Sequence, residues 1–390
     1  MLVGISQSSI LIFSALFLLF VFSQKLPLWF HPAIGFGFLG YGLSQIPFFH
    51  GIANHLEWFQ LFKNPWVWAV ILFFYARAFV LNAVPHLSKN ILKSFFIYAA
   101  LATLVLPVSL WGVQWLVLHF LPAKYFVWPL LNNKELILLG LLSLPVAHAL
   151  YVRPAKQVLG PVATQLKYLT LLSEIIFLMG FTVFFSFQNL AWLPLLVQFV
   201  SIAALLAFLY AFQRWVIGSS TNLFYEMGLV CFVLALAEIL KLPLPVVGIF
   251  SGLLLANISH TKINYPEGIL YFEALLLFMG GFLLKITLHD LPVLVFLILL
   301  LVALRWLLMF LAFKLAGTSR TLQVHGAVGW CYFSAVSLLP IFWLQGVAGF
   351  NLSLFGEFLI LGILFTQILS WLVLRLNFYT AGEIATAVGK

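Results

Sequence analysis

The stretch Lys241-Leu242-Pro243-Leu244-Pro245-Val246-Val247-Gly248-Ile249-Phe250-Ser251-Gly252 opens an apolar run that continues to about residue 259. Its pattern occurs twice. Lys25-Leu26-Pro27-Leu28 opens an earlier run, and Pro32-Ala33-Ile34-Gly35 followed by Gly40 echoes Pro245-Val246-Val247-Gly248 followed by Gly252. A basic residue, the prolines and the glycines agree together, which chance similarity in an apolar chain does not readily produce. Internal repetition of this kind marks a fold built from two related halves.

The solvent of that fold is lipid. The chain has 390 residues, of which 64% are hydrophobic and 7% are Asp, Glu, Lys or Arg. An ordinary soluble domain carries about 25% charged residues, so a soluble enzyme and a disordered chain are excluded. The net charge of +9 is scattered over single basic residues. It forms no stripe that could track phosphates, so no nucleic acid partner is expected. Cys231 and Cys331 both lie in apolar runs, which argues against a disulfide framework or a metal site. No phosphate-binding glycine loop or nucleophile with a base is present, so neither an enzyme nor a cofactor is expected.

A crossing helix needs about 20 apolar residues. We read about thirteen such runs, at roughly 7–23, 29–48, 65–84, 92–120, 134–152, 164–187, 192–212, 222–240, 244–259, 269–286, 291–313, 323–345 and 352–374. The first lacks a charged leader and a small-residue cleavage site, so it reads as a retained span rather than a signal peptide. Twelve Lys and Arg residues fall in one set of alternating connections (Lys25; Lys89 and Lys93; Arg153, Lys156 and Lys167; Arg214; Lys262; Lys314 and Arg320; Arg375 and Lys390), and five fall in the other. The richer side is cytoplasmic by the positive-inside rule, which puts the N-terminus outside and the C-terminus inside. The two copies of the Lys-Leu-Pro-Leu pattern open the second and ninth runs, an offset of seven, so the copies cross in opposite senses. The chain then divides into repeat one at about 7–187, a linker helix at about 192–212 and repeat two at about 222–374. A short cytoplasmic tail over 375–390 follows.

Transporters of this architecture build their site from broken helices at matching positions of the two halves. The fifth run carries Ser143-Leu144-Pro145, and its counterpart, the twelfth, carries Ser337-Leu338-Leu339-Pro340. Proline removes a backbone donor and frees a carbonyl, and in lipid those groups must face protein or a cavity. A simple kink at each proline is the alternative to a pair of crossed breaks.

The runs around the repeat also resemble a known family. Leu236-Ala237-Glu238-Ile239-Leu240-Lys241-Leu242-Pro243 with Val247-Gly248-Ile249-Phe250-Ser251-Gly252-Leu253-Leu254-Leu255-Ala256-Asn257 resembles the monovalent cation:proton antiporter superfamily, of the bacterial sodium or potassium/proton exchanger type. Tyr271-Phe272-Glu273-Ala274-Leu275-Leu276-Leu277-Phe278-Met279-Gly280-Gly281, the glycines Gly35 and Gly40, and Arg305 in the eleventh run are similar to its segments as well. The resemblance implies an all-α fold of thirteen helices in two inverted six-helix units with crossed broken helices. It also implies exchange of sodium or potassium for protons by alternating access, a multi-pass protein of the bacterial inner (plasma) membrane, and often a homodimer.

The chain departs from that family at its ion site. Where the family carries Thr-Asp-Pro or Thr-Ser-Pro, this chain has Ser143-Leu144-Pro145. Where the family carries Asn-Asp or Asp-Asp, it has Ile175-Ile176-Phe177-Leu178-Met179-Gly180-Phe181, and Tyr75-Ala76-Arg77-Ala78 replaces an acidic residue of the third helix. A divergent member would need a substitute carboxylate, because one group that binds a cation or a proton couples the two flows. Glu174 stands one helical turn from the expected position, and His148 follows Pro145 by one turn. Pairing of Glu174 with Lys167 near a helix end is the competing reading. The candidate ion-coupling residues are thus Ser143, Pro145, His148, Glu174, Arg305 and Ser337. Arg305 and Arg77 leave open carriage of an anion or a neutral solute, and a non-transporting partner or sensor is the third reading. Glu273 and Glu238 read as interfacial acids, with Glu273 and Arg305 as an alternative buried pair.

Overall fold

The computed structural model describes residues 32–45, 64–77, 87–120, 140–142, 144–147, 160–187, 192–217, 223–258, 273–274, 276–281, 291–344 and 352–383. Its longer elements are α-helices: α1 Pro32–Ser44, α2 Pro65–Arg77, α3 Lys89–Phe120, α4 Pro161–Phe187, α5 Trp192–Phe212, α6 Leu223–Ile239, α7 Leu244–Ile258, α8 Leu291–Leu315, α9 Leu338–Leu344 and α10 Leu352–Thr380. Two π-turns, Gln213–Ile217 and Leu322–Gly326, follow α5 and α8. Among the described residues no strand forms, and the only β feature is one antiparallel bridge between Val146 and Phe333. The first apolar run, at 7–23, and Lys25-Leu26-Pro27-Leu28 lie outside the described residues.

Four described helices are long and apolar enough to cross a membrane: Lys89–Leu116, Pro161–Phe184, Leu193–Trp215 and Leu294–Leu315. Their burial separates core from periphery. The Pro161–Phe184 span is 56% buried in protein and the Leu193–Trp215 span only 17%, so α5 spends most of its surface on lipid and α4 runs through the core. α5 is apolar on nearly all sides, as expected for a helix that meets hydrocarbon, whereas α4 carries buried polar residues, Thr170, Ser173 and Glu174, into the core.

The Lys241 motif is a helix stop followed by a helix start. Lys241 adopts φ 53°. The Lys241 N–H bonds Glu238 O at 2.9 Å and the Leu242 N–H bonds Ala237 O at 2.8 Å. This is a Schellman closure of α6, and Pro243 then leads into α7. The glycines of the motif serve packing. A Cβ on Gly248 would collide with the backbone of Ala69, and one on Gly252 with the backbone carbonyl of Phe73. The helices α2 and α7 therefore meet backbone to backbone, as small residues permit in membranes. At 13 residues α2 spans only about 20 Å, and it is held as a buried core element, with Trp68, Ala69, Leu72, Phe73 and Tyr75 almost fully enclosed.

The C-terminal end of α10 folds back on α4. Residues 375–380, expected as tail, continue the helix. Gly382 then takes φ 74°, and the Glu383 N–H reaches Phe378 O at 3.0 Å, which turns the chain. The Glu383 carboxylate accepts the Val162 N–H at 2.5 Å and the Ala163 N–H at 2.9 Å. These are two of the donors left open at the start of α4, where negative charge also opposes the helix dipole. Gly160 leaves room for the carboxylate, since a Cβ there would collide with it. Replacing Glu383 by Ala removes this cap and is expected to cost about 0.5–2 kcal/mol, seen as a lower thermal midpoint of the detergent-purified protein.

Further contacts tie the same end together. Asn90 Nδ2 donates to Gly317 O at 3.3 Å. Asn377 Nδ2 donates to His325 O at 2.9 Å, while Asn377 Oδ1 lies 2.8 Å from His325 Nδ1. His325 is half-buried.

Candidate functional site

The helical stretch at 140–142 gives way to non-helical backbone over 144–147, and the chain after Trp330 is likewise non-helical over 332–334 before the short 3₁₀ turn Ala335–Ser337. The two interrupted segments meet in the core. Val146 and Phe333 form the bridge, and the Ala147 N–H donates to Tyr332 O at 3.3 Å. Two breaks thus satisfy part of each other's backbone, and neighbouring helices supply the rest. Ser173 Oγ on α4 accepts the Val146 N–H at 3.3 Å, and Thr366 Oγ1 on α10 accepts the Phe333 N–H at 3.2 Å. Both hydroxyls are buried, and each passes its own proton to its helix, Ser173 to Thr170 O and Thr366 to Gly362 O. Thr366→Val keeps the shape and orphans the Phe333 N–H, so we expect a loss of about 1–3 kcal/mol, read as a drop in thermal midpoint without loss of the folded species.

Pro145 lies at the first break, as the sequence indicates. The second break sits a few residues before the expected one. Pro340 occupies the first turn of α9, where a missing N–H costs little, and the helix is interrupted instead at Tyr332-Phe333-Ser334. Ser337 is buried in the 3₁₀ turn. Ser143 and His148 lie outside the described residues.

Arg305, projecting from α8, is fully buried and spans the crossing. Its Nη2 donates to Pro145 O at 3.1 Å and to Tyr332 O at 3.2 Å, so one nitrogen holds a freed carbonyl from each interrupted segment. The guanidinium carbon stands 4.6 Å from the centre of the Phe333 ring, a cation–π distance. The alternative pairing of Arg305 with Glu273 is not what fixes it: its hydrogen bonds go to backbone oxygens.

Glu174 is the acid at this crossing. It is fully buried on α4, next to Ser173, which itself holds Val146. The Tyr75 hydroxyl donates to Glu174 Oε2 and the Ser334 hydroxyl donates to Glu174 Oε1. Tyr75 comes from α2, and Ser334 from the second interrupted segment, where its Oγ also accepts the Val336 N–H at 3.2 Å. The competing reading, with Glu174 at a helix end beside Lys167, does not match this placement. Glu273 is also fully buried and lies within electrostatic range of the Tyr75 hydroxyl. Glu238 is exposed. Arg77 is buried at the end of α2.

The sequence pointed to Pro145, Glu174 and Arg305, and the structure brings these three to one place. It adds Tyr75, Ser173, Ser334 and Thr366. Tyr75 carried a signal, since it opens the Tyr75-Ala76-Arg77-Ala78 segment that stands in place of an acidic residue. The three hydroxyls of Ser173, Ser334 and Thr366 were visible only as polar residues in apolar runs.

Chemically, a buried carboxylate with two hydroxyl donors can exist in two states. It can take a proton and become neutral, or it can stay ionised beside a cation. The oxygens of Tyr75 and Ser334 have lone pairs to give such a cation while their protons point at Glu174.

No family model and no curated protein matches the chain. Among solved structures, that of the sodium proton antiporter MjNhaP1 from Methanocaldococcus jannaschii is similar with a TM-score of 0.62. The likeness covers 96% of this chain and 99% of that one, at 13% identity. The chain therefore has an antiporter-type, multi-pass membrane fold.

Proposed function

We propose that this protein is a secondary transporter that exchanges a monovalent cation, sodium or potassium, for protons by alternating access, with Glu174 as the group that binds one or the other. One observation carries the reading: a buried carboxylate sits at the meeting point of two interrupted segments, with hydroxyl oxygens from α2 and from the second of those segments around it. Ionisable residues inside a membrane are costly and mark ion or proton pathways. The fold of the similar antiporter structure supports the same reading.

The finer architecture belongs to the proposal. We read two inverted six-helix units, which accounts for a break in the fifth run meeting a break in the twelfth. The N-terminus faces outward and the C-terminus the cytoplasm. The contacts Asn90 to Gly317, Glu383 to Val162 and Asn377 to His325 support this orientation. They gather on one side the connections that hold Lys89, Lys93, Lys167, Lys314, Arg320 and Arg375, all from the richer basic set. The bacterial inner membrane is the compartment that the sequence resemblance implies.

The test is proton movement in proteoliposomes that report internal pH by a dye, on addition of sodium, potassium or lithium salts. Cation-dependent proton flux is expected. No flux with any of the three, from protein shown to be folded, would overturn cation exchange.

A further inference from the structure

Beside Arg305 lies a set of buried donors with too few acceptors. Arg305 Nη2 is used at the crossing, whereas Nε and Nη1 make no hydrogen bond. The Trp330 Nε1–H and the Tyr98 hydroxyl have no partner of good hydrogen-bond geometry, and the loose contacts they make are with each other and with the guanidinium. These groups are neighbours. The Tyr98 and Trp330 rings meet edge to face with centres 5.3 Å apart, and the Tyr98 hydroxyl lies beside both the indole N–H and the guanidinium. Arg305, Trp330 and Tyr98 are each almost fully buried.

The inventory is one-sided. A guanidinium and an indole have only donors, and a phenol has one oxygen that can accept. That oxygen cannot serve all the N–H groups that border it. The charge is one-sided too. Arg305 is held by neutral carbonyls and an aromatic face, and no ion pair with a carboxylate is formed by it among the described residues. Both Glu174 oxygens are taken by Tyr75 and Ser334. Water would supply acceptors but would leave a full positive charge unmatched in a membrane core, where an uncompensated charge is costly.

We infer that Arg305, Trp330 and Tyr98 form a binding site for a small inorganic anion of the size of chloride. The anion accepts from Nε or Nη1 of Arg305, from Trp330 Nε1 and from the Tyr98 hydroxyl. It is the counter-ion of Arg305, bound at guanidinium nitrogens that the crossing carbonyls leave unused. Trp330, Tyr98 and Phe333 are almost fully buried, which favours a small anion over a bulky organic carboxylate such as gluconate. Because the anion neutralises the arginine that pins both interrupted segments, it stabilises the crossing itself. This inference does not depend on cation exchange: a protein that moves no protons would still bind the anion.

The test is thermal unfolding of the detergent-purified full chain, titrated with sodium chloride against sodium gluconate at constant sodium concentration and ionic strength. A saturable rise in thermal midpoint with chloride is expected, reproduced by bromide. Binding to the folded state alone raises the midpoint in this way. The saturable rise should vanish in Trp330→Phe and in Tyr98→Phe, each of which removes one donor and keeps most of the ring packing. Arg305→Lys should lose it as well; if that variant fails to fold, the two aromatic variants decide. Equal midpoints in chloride and gluconate for the wild type would overturn the site, as would a chloride response that survives in both aromatic variants.

Discussion

Glu174→Gln is expected to reduce cation-driven proton flux to the level of protein-free liposomes while leaving the helices folded. Gln has the length and shape of Glu, so the space between α2, α4 and the second interrupted segment stays filled. Its amide oxygen can accept from one of the two hydroxyls. The other hydroxyl can rotate and accept from the amide nitrogen, so both Tyr75 and Ser334 remain partnered. What is lost is the charge and the ability to titrate, and exchange needs both. Glu174→Ala is a different experiment. It orphans both hydroxyls and opens a cavity, so inactivity there would mix chemistry with folding. The checks for Glu174→Gln are the dye assay for flux and, in the same preparation, size-exclusion profile and thermal midpoint for folding.

The second large effect is on the fold. Gly252→Val is expected to abolish recovery of folded protein. A Cβ at position 252 meets the carbonyl oxygen of Phe73, with Ala76 beside it. Overpacking against a movable side chain costs about 1–3 kcal/mol, and here the obstacle is backbone, so the cost lies at or above the top of that range. Neither helix can simply step back. Both α2 and α7 are buried along most of their length, and α2 carries Tyr75, two residues beyond Phe73, into contact with Glu174. Any protein that does fold should therefore lose flux as well. Gly180→Ala is the control. A Cβ there meets nothing within 4 Å, and Ala favours a helix interior by about 0.5–1 kcal/mol over Gly. Yield of monodisperse protein from detergent extracts distinguishes the two variants.

Much of this architecture was legible in the chain because lipid imposes simple rules. The four described spans fall in runs that apolar length had marked, and the Lys241-Leu242-Pro243 turn could be read from its punctuation. The glycines Gly248 and Gly252 stood out because they recurred, and their role as the contact with α2 followed only from the coordinates. Pro145 falls in the non-helical stretch 144–147, where a missing donor is no loss to a helix. Pro340 marks no break, because a proline in the first turn of a helix leaves no trace of strain. The break at Tyr332-Phe333-Ser334 contains no helix breaker at all. It is held open by partners distant in sequence: Thr366 on the Phe333 N–H, Val146 across the bridge, and Arg305 on the Tyr332 carbonyl.

The site shows the same division. Glu174 could be proposed from its helix and its distance from the expected acid. Its environment could not, since Tyr75 lies 99 residues away and Ser334 160 residues away along the chain. Arg305 was visible as a charge in a span that had to be compensated. That its hydrogen bonds go to carbonyls, one from each break, rather than to an acid was fixed by tertiary structure.

Release of protons on cation binding tests most directly whether Glu174 holds either ion but not both. Purified protein in a weakly buffered detergent solution, at a series of starting pH values, is mixed with sodium or potassium chloride while pH is recorded, with choline chloride as control. The account predicts proton release that saturates with the metal cation, is absent with choline, and disappears in Glu174→Gln. Saturable release that persists unchanged in Glu174→Gln would contradict it and place the exchange on another group.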